Sequence, residues 1–204
     1  MRTRREKRMK ELSAEVLSRL TRAAPRDDEE IFTALGGVLT ELRGRPVVLR
    51  RFAFPPGTAS GLWLDLEDMD ILAVRDDAAN SEHEHVILGH EIWHMFEGHR
   101  GEATAGGHVA ARTPLAATQG IGGVVRELMA SATAFSRGES DASGVPTPRV
   151  AARTGFDVRH EAEAEMFGLR LGTDLRAFRR SRRRADLGEV AGRIEDSLGR
   201  GLWG

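Results

Sequence analysis

Apolar residues recur at helical spacing from the start of the chain. Leu12, Val16, Leu17 and Leu20 share one face behind an Arg-rich opening and predict a helix over residues 1–22. Pro25 ends it. Asp27 reads as an N-cap, with Glu30 at capping-box spacing, and Asp27-Asp28-Glu29-Glu30 suits the positive end of a helix dipole. This second helix carries Ile31, Leu35, Val38, Leu39 and Leu42 and stops at Gly44. The period then changes to that of strands. Val47-Val48-Leu49 continues to Phe54, where Pro55-Pro56-Gly57 forces a turn. Leu62-Trp63-Leu64-Asp65-Leu66 alternates, turns at Glu67-Asp68 and is followed at hairpin distance by Ile71-Leu72-Ala73-Val74. The simplest arrangement of these runs is a small antiparallel sheet.

Polar residues 76–82 lead into a helix expected from Glu84 to Glu97. Residues 100–123 are rich in Gly, Ala and Thr and read as a long loop. Its glycines, Gly101, Gly106, Gly107, Gly120, Gly122 and Gly123, suit a mobile lid. A helix from Val124 to Phe135 follows, then a turn-rich loop over residues 137–150. A helix from Val158 to Leu175, an Arg-rich stretch over 176–184 and an amphipathic helix to Leu198 complete the pattern. The fold class expected is α+β. N-terminal helices precede a small sheet, and a pair of later helices carries the chemistry. Three segments follow: a basic N-terminal helix (1–24), a central domain (25–175) and an Arg-rich helical tail (176–204).

Composition narrows the function. The 204 residues are 40% hydrophobic with a net charge of −1, so global charge points to neither a nucleic-acid nor an acidic partner. Two basic stretches, Arg2–Lys10 and Arg176–Arg184, hold a single aromatic, Phe178, and so lack a series of interleaved aromatics to stack on bases; they read as solvated helix faces. Cysteine is absent, which excludes a disulfide scaffold, a Cys-based zinc knuckle and a thiol nucleophile. No apolar run approaches the length of a membrane span, and the first residues lack a signal-peptide apolar region, so the expected location is the cytoplasm. Tyrosine is also absent. Of seven histidines, six fall between His83 and His108, and the seventh is His160. His83 and His85 read as exposed residues near the start of their helix.

The sharpest feature is His90-Glu91-Ile92-Trp93-His94. Residues four apart on a helix share a face, so His90 and His94 can aim two imidazoles at one zinc ion. Glu91 lies about 100° round from His90. It suits a general base acting on a metal-bound water, as in an HExxH metallopeptidase. The metzincin extension needs Gly at 97 and His at 100, where Glu97 and Arg100 stand. The third ligand must come from elsewhere. Within His160-Glu161-Ala162-Glu163-Ala164-Glu165, Glu161 and Glu165 share a face. Glu161 is the candidate ligand, and Glu165 would hold the second nitrogen of a ligating His. Glu163 points away and reads as solvated. A tetrahedral oxyanion needs a donor besides the metal. Without tyrosine the candidates are His99, His108, His160 and Arg126. His99 is the candidate catalytic residue among these, the alternative being a partner for the helix dipole.

These motifs resemble the ImmA/IrrE family of metallopeptidases. The resemblance rests on Gly61-Leu62-Trp63, the Ile71–Val74 run, His90-Glu91-Ile92-Trp93-His94-Met95-Phe96-Glu97-Gly98-His99 and Glu161-Ala162-Glu163-Ala164-Glu165-Met166-Phe167-Gly168. It spans residues 30–172 and is similar to the short bacterial members labelled toxin–antitoxin components. Glu165 stands where the family has Asn or Asp, and Leu169-Arg170-Leu171-Gly172 replaces a common Leu-Leu-Met-Pro. The resemblance implies a gluzincin-like core of two metal-bearing helices. It implies Zn²⁺ held by His90, His94 and Glu161, with Glu91 as base. It also implies a protein substrate, a helix-turn-helix repressor or antitoxin encoded nearby. The competing expectation is a regulatory binding module whose zinc site is structural or vestigial.

Overall fold

The computed structural model describes residues 3–99, 123–128, 130 and 158–201. The loops expected over 100–123 and 137–150, the lid among them, lie outside the described residues apart from Gly123, as does His108. The chain is α+β. Helices α1 (Arg4–Ala23) and α2 (Asp28–Arg43) precede strands β1 (Val47–Phe52), β2 (Gly61–Asp65) and β3 (Asp70–Arg75). Helix α3 (Ser81–Glu97) follows, then a helical segment α4 (residues 123–128) and the long α5 (Val158–Gly201).

The helix ends follow local chemistry. Thr3 and Glu6 form a full capping box on α1. On α2 only half of the expected box exists. Asp27 accepts from the Glu30 amide at 2.8 Å, while the Glu30 carboxylate accepts from the Arg26 amide and guanidinium. Helix α3 starts three residues earlier than expected because Asn80 caps it, accepting from the His83 amide at 2.9 Å. Helix α5 is one helix of 44 residues, about 66 Å long. The expected break through 176–184 does not occur. Arginine is a good helix former, and no proline interrupts the run.

The sheet corrects the expected antiparallel arrangement. Its order is β1-β3-β2. β2 and β3 form the expected antiparallel hairpin, Trp63 opposite Leu72, but β1 runs parallel to β3 and does not pair with β2. The eight residues after β1 carry the chain past the β3 position, leaving the centre of the sheet for β3. That strand is then buried on both faces, which is why it reads as an unbroken apolar run. Trp63, Leu72 and Val74 pack into the main core with α1, α2, α3 and α5. Leu62, Leu64, Ile71 and Ala73 face the other way, onto Val124, Val125 and Leu128 of α4.

The two basic stretches are engaged within the fold. Arg5 bonds Glu163, and Arg8 bonds Glu97 at 3.2 Å. Arg176 reaches Glu82, Arg179 reaches Asp28, and Arg182 donates to the Ala24 carbonyl. The reading of Glu163 as solvated is therefore wrong. It is 9% exposed and ties α5 to α1 through Arg5. No helix among the described residues is long and apolar enough to cross a membrane.

Candidate metal centre

Helices α3 and α5 pack face to face, and glycines set their separation. A Cβ on Gly168 would lie 2.5 Å from the Val86 carbonyl oxygen. One on Gly89 would lie 2.9 Å from the Gly168 α-carbon. One on Gly172 would lie 2.7 Å from Val86 Cγ2. With no side chain at these three positions, the two backbones come close together. Trp93 stacks on Phe167 beside it, ring centres 5.0 Å apart, a contact worth about 1 kcal/mol beyond burial. Glu161 lies two turns N-terminal to Gly168 on the same face of α5, which brings its carboxylate to α3.

There it meets both histidines of the motif. His90 Nε2 is 3.4 Å from Glu161 Oε2, His94 Nε2 is 3.3 Å from Glu161 Oε1, and the two Nε2 atoms are 3.0 Å apart. The ligand atoms of a tetrahedral zinc with bonds of 2.0–2.1 Å sit about 3.3–3.4 Å from one another. The three side chains approach that spacing, with the two imidazole nitrogens closer than it, and they form the one group among the described residues able to hold a metal ion. The donor set of two imidazoles and a carboxylate suits zinc. Burial acts to raise the Glu161 carboxyl. Hydrogen bonds from His90 and His94 override it and hold the group well below the usual carboxylate range.

The centre is closed on one side and open on the other. His94 is fully buried, whereas His90 and Glu161 are part-exposed and line a cleft of about 300 Å³. Glu91 lines the same cleft and is 3% exposed. Gly61, at the start of edge strand β2, makes room for it. A Cβ there would lie 2.8 Å from Glu91 Oε1 and 2.9 Å from Glu91 Cγ. Glycine in a strand often marks such a close approach, so Gly61 was findable from sequence as a contact point but not as a contact with Glu91. Arg75 also lines the cleft, bonded to Asp77 through Nε at 2.5 Å. Nothing in the sequence distinguishes it from the other arginines.

Other residues sit differently from expectation. His99 does not line the cleft. It is 8% exposed, and its Nδ1 is 3.2 Å from His94 Nδ1, the ring nitrogen that faces away from Glu161. The other nitrogen of His94 therefore meets His99, while Glu165 is exposed and lines the cleft with His90. His160 stacks on His99, ring centres 3.9 Å apart. Arg126 is exposed on α4. His83 is exposed as expected, but His85 is 1% exposed and faces the core. Burial pushes its imidazole down from the ordinary value. Glu84 opposes that shift and Arg179 reinforces it. No protein-family model, curated protein or solved structure matches this chain.

Proposed function

We infer that this chain is a zinc-dependent metallopeptidase acting on a regulatory protein. One observation carries the reading. The three side chains near zinc spacing are open on the side of a cleft, and that cleft holds the Glu91 carboxylate. Structural zinc sites are closed by four protein ligands, whereas catalytic ones use three and keep a position free. A structural site also has no use for an acidic side chain on its open face.

The residues divide the work. His90, His94 and Glu161 would hold the ion. When bound, zinc supplies a Lewis acid for the scissile carbonyl and lowers the pKa of its water to about 7. Glu91 accepts a proton from the attacking water and delivers it to the amine nitrogen as the C–N bond breaks. Its burial beside Ile87 and the β2 backbone keeps it in one position, so little reorganisation is needed at the moment of transfer. The substrate proposed is a helix-turn-helix repressor or antitoxin encoded beside this chain, on the strength of the motif resemblance. Co-expression with that protein tests the reading. Discrete fragments, found by mass spectrometry and lost with a chelator, support it. An intact partner with the repressor function unchanged sinks it.

A further inference from the structure

We propose that His99 is a positioning residue for the metal centre: it accepts a hydrogen bond from His94 Nδ1 and so fixes His94 as an Nε2 ligand. The inference rests on the metallopeptidase reading and assigns a part to a residue outside the cleft.

The geometry begins at the end of α3. Gly98 is left-handed (φ 64°, ψ 33°), a conformation that costs other residues about 1–2 kcal/mol. Its turn reverses the chain, and the His99 amide donates to the His94 carbonyl at 3.0 Å. The reversal lays the His99 ring against the back of His94, Nδ1 to Nδ1 at 3.2 Å. His160 then stacks on His99 with an interplanar angle of 11°, which sets the ring plane. His160 precedes Glu161, so α5 supplies a ligand and the ring that holds the positioning residue.

Chemistry assigns the protons. His94 Nε2 faces His90 and Glu161, so it is the nitrogen that would bind metal, and with the ion in place of its hydrogen bond it carries no hydrogen. The hydrogen is then on Nδ1, which is aimed at His99 Nδ1. For that contact to be a hydrogen bond, His99 Nδ1 must be bare and its own hydrogen must sit on Nε2. A carboxylate, carbonyl or water usually fills this role beside a ligating histidine. Here an imidazole does. In this fully buried setting a bare Nδ1–H on His94 would be costly, so the contact favours one tautomer.

The test uses the full chain with zinc, two variants and nitrogen NMR. His99→Phe keeps a flat ring against His160 but has no acceptor. His99→Asn carries an oxygen near the place of Nδ1. Zinc affinity is read by competition with a chelator. His99→Phe should bind zinc about 10–100-fold more weakly, and His99→Asn should recover to within about threefold of wild type. In labelled wild type, a nitrogen–nitrogen coupling through the hydrogen bond should link the two Nδ1 atoms. Wild-type affinity in His99→Phe, or His99→Asn as weak as His99→Phe, or a hydrogen on His99 Nδ1, overturns the proposal. Failure of the wild-type chain to bind zinc overturns the metal centre and the proposal with it. Zinc binding that is indifferent to His99→Phe overturns the proposal alone. If His99→Phe does not fold, the coupling and His99→Asn still decide the matter.

Discussion

Gly61 and Glu91 share one space: the Cβ that any other residue would place at position 61 falls 2.8 Å from the Glu91 carboxylate oxygen Oε1. The side chain of the candidate base can occupy the cleft only because β2 begins without one. Gly61→Ala pushes on the far end of a flexible side chain and on Ile87 Cγ2 at 2.7 Å, so the fold should give slightly while Glu91 moves. Zinc content should hold and kcat/KM should fall by about 10²-fold, the usual cost of misplacing a reacting group by about 1 Å. Full activity in Gly61→Ala would remove Glu91 from the mechanism as drawn.

The glycine seam between α3 and α5 makes a second prediction. At Gly168 the obstacle is the Val86 backbone carbonyl, which cannot swing aside. Gly168→Ala should cost about 1–3 kcal/mol, and zinc affinity should fall because Glu161 retreats with α5. Gly37→Ala on α2 is the control, since nothing lies within 4 Å of its Cβ position. It should be neutral or stabilise by up to about 1 kcal/mol. Thermal melting and chelator competition read both. A Gly168→Ala protein as stable as Gly37→Ala would mean the two helices are not in contact there.

The ligand set is tested by metal content. Wild type should carry one zinc per chain, His94→Ala should carry none, and Glu161→Gln should bind much more weakly. Elemental analysis after gel filtration measures this directly. Full zinc in both variants would require a different set of ligands.

His85 gives a pH dependence. Its folded pKa lies below the ordinary 6.5, so the unfolded chain takes up a proton that the folded chain resists. Stability from this residue is complete above pH 6.5 and is lost as the pH falls towards the lowered folded value. The slope is at most about 1.4 kcal/mol per pH unit. The comparison is with His85→Phe, which keeps the candidate zinc ligands. Between about pH 7 and 5.5 the urea midpoint of wild type should fall further than that of the variant. Equal falls would mean that His85 is not the titrating group.

Local chemistry was the legible part of this molecule. Helical spacing alone puts His90 and His94 on one face, and a glutamate on a later helix was found by asking which residue type could finish the donor set. Asp27 starts α2 and Gly44 ends it, as their residue types dictate. What was not legible depends on contacts between distant segments. Ile71-Leu72-Ala73-Val74 has the same pattern at a sheet edge or at its centre, and only the position of β1 decides. The spacing of Glu163 reads as a solvent face, and burial comes from Arg5, 158 residues away. Gly168 and Gly172 look like weak points in a helix until α3 is laid against them. His99 followed the motif closely enough to suggest catalysis, but the turn at Gly98 puts it behind a ligand.

The central claim is that the cleft hydrolyses a peptide bond and that Glu91 moves the proton. The measurement is cleavage of the co-expressed repressor or antitoxin by wild type and by Glu91→Gln, with zinc content determined on the same preparations. Glutamine keeps the shape and a hydrogen bond but cannot accept the proton. Zinc content and melting temperature should match wild type, and the cleavage rate should fall by about 10²–10⁴-fold. Equal relief of repression by both proteins, with zinc bound and no fragments from either, would contradict the account and leave a protein that acts by binding.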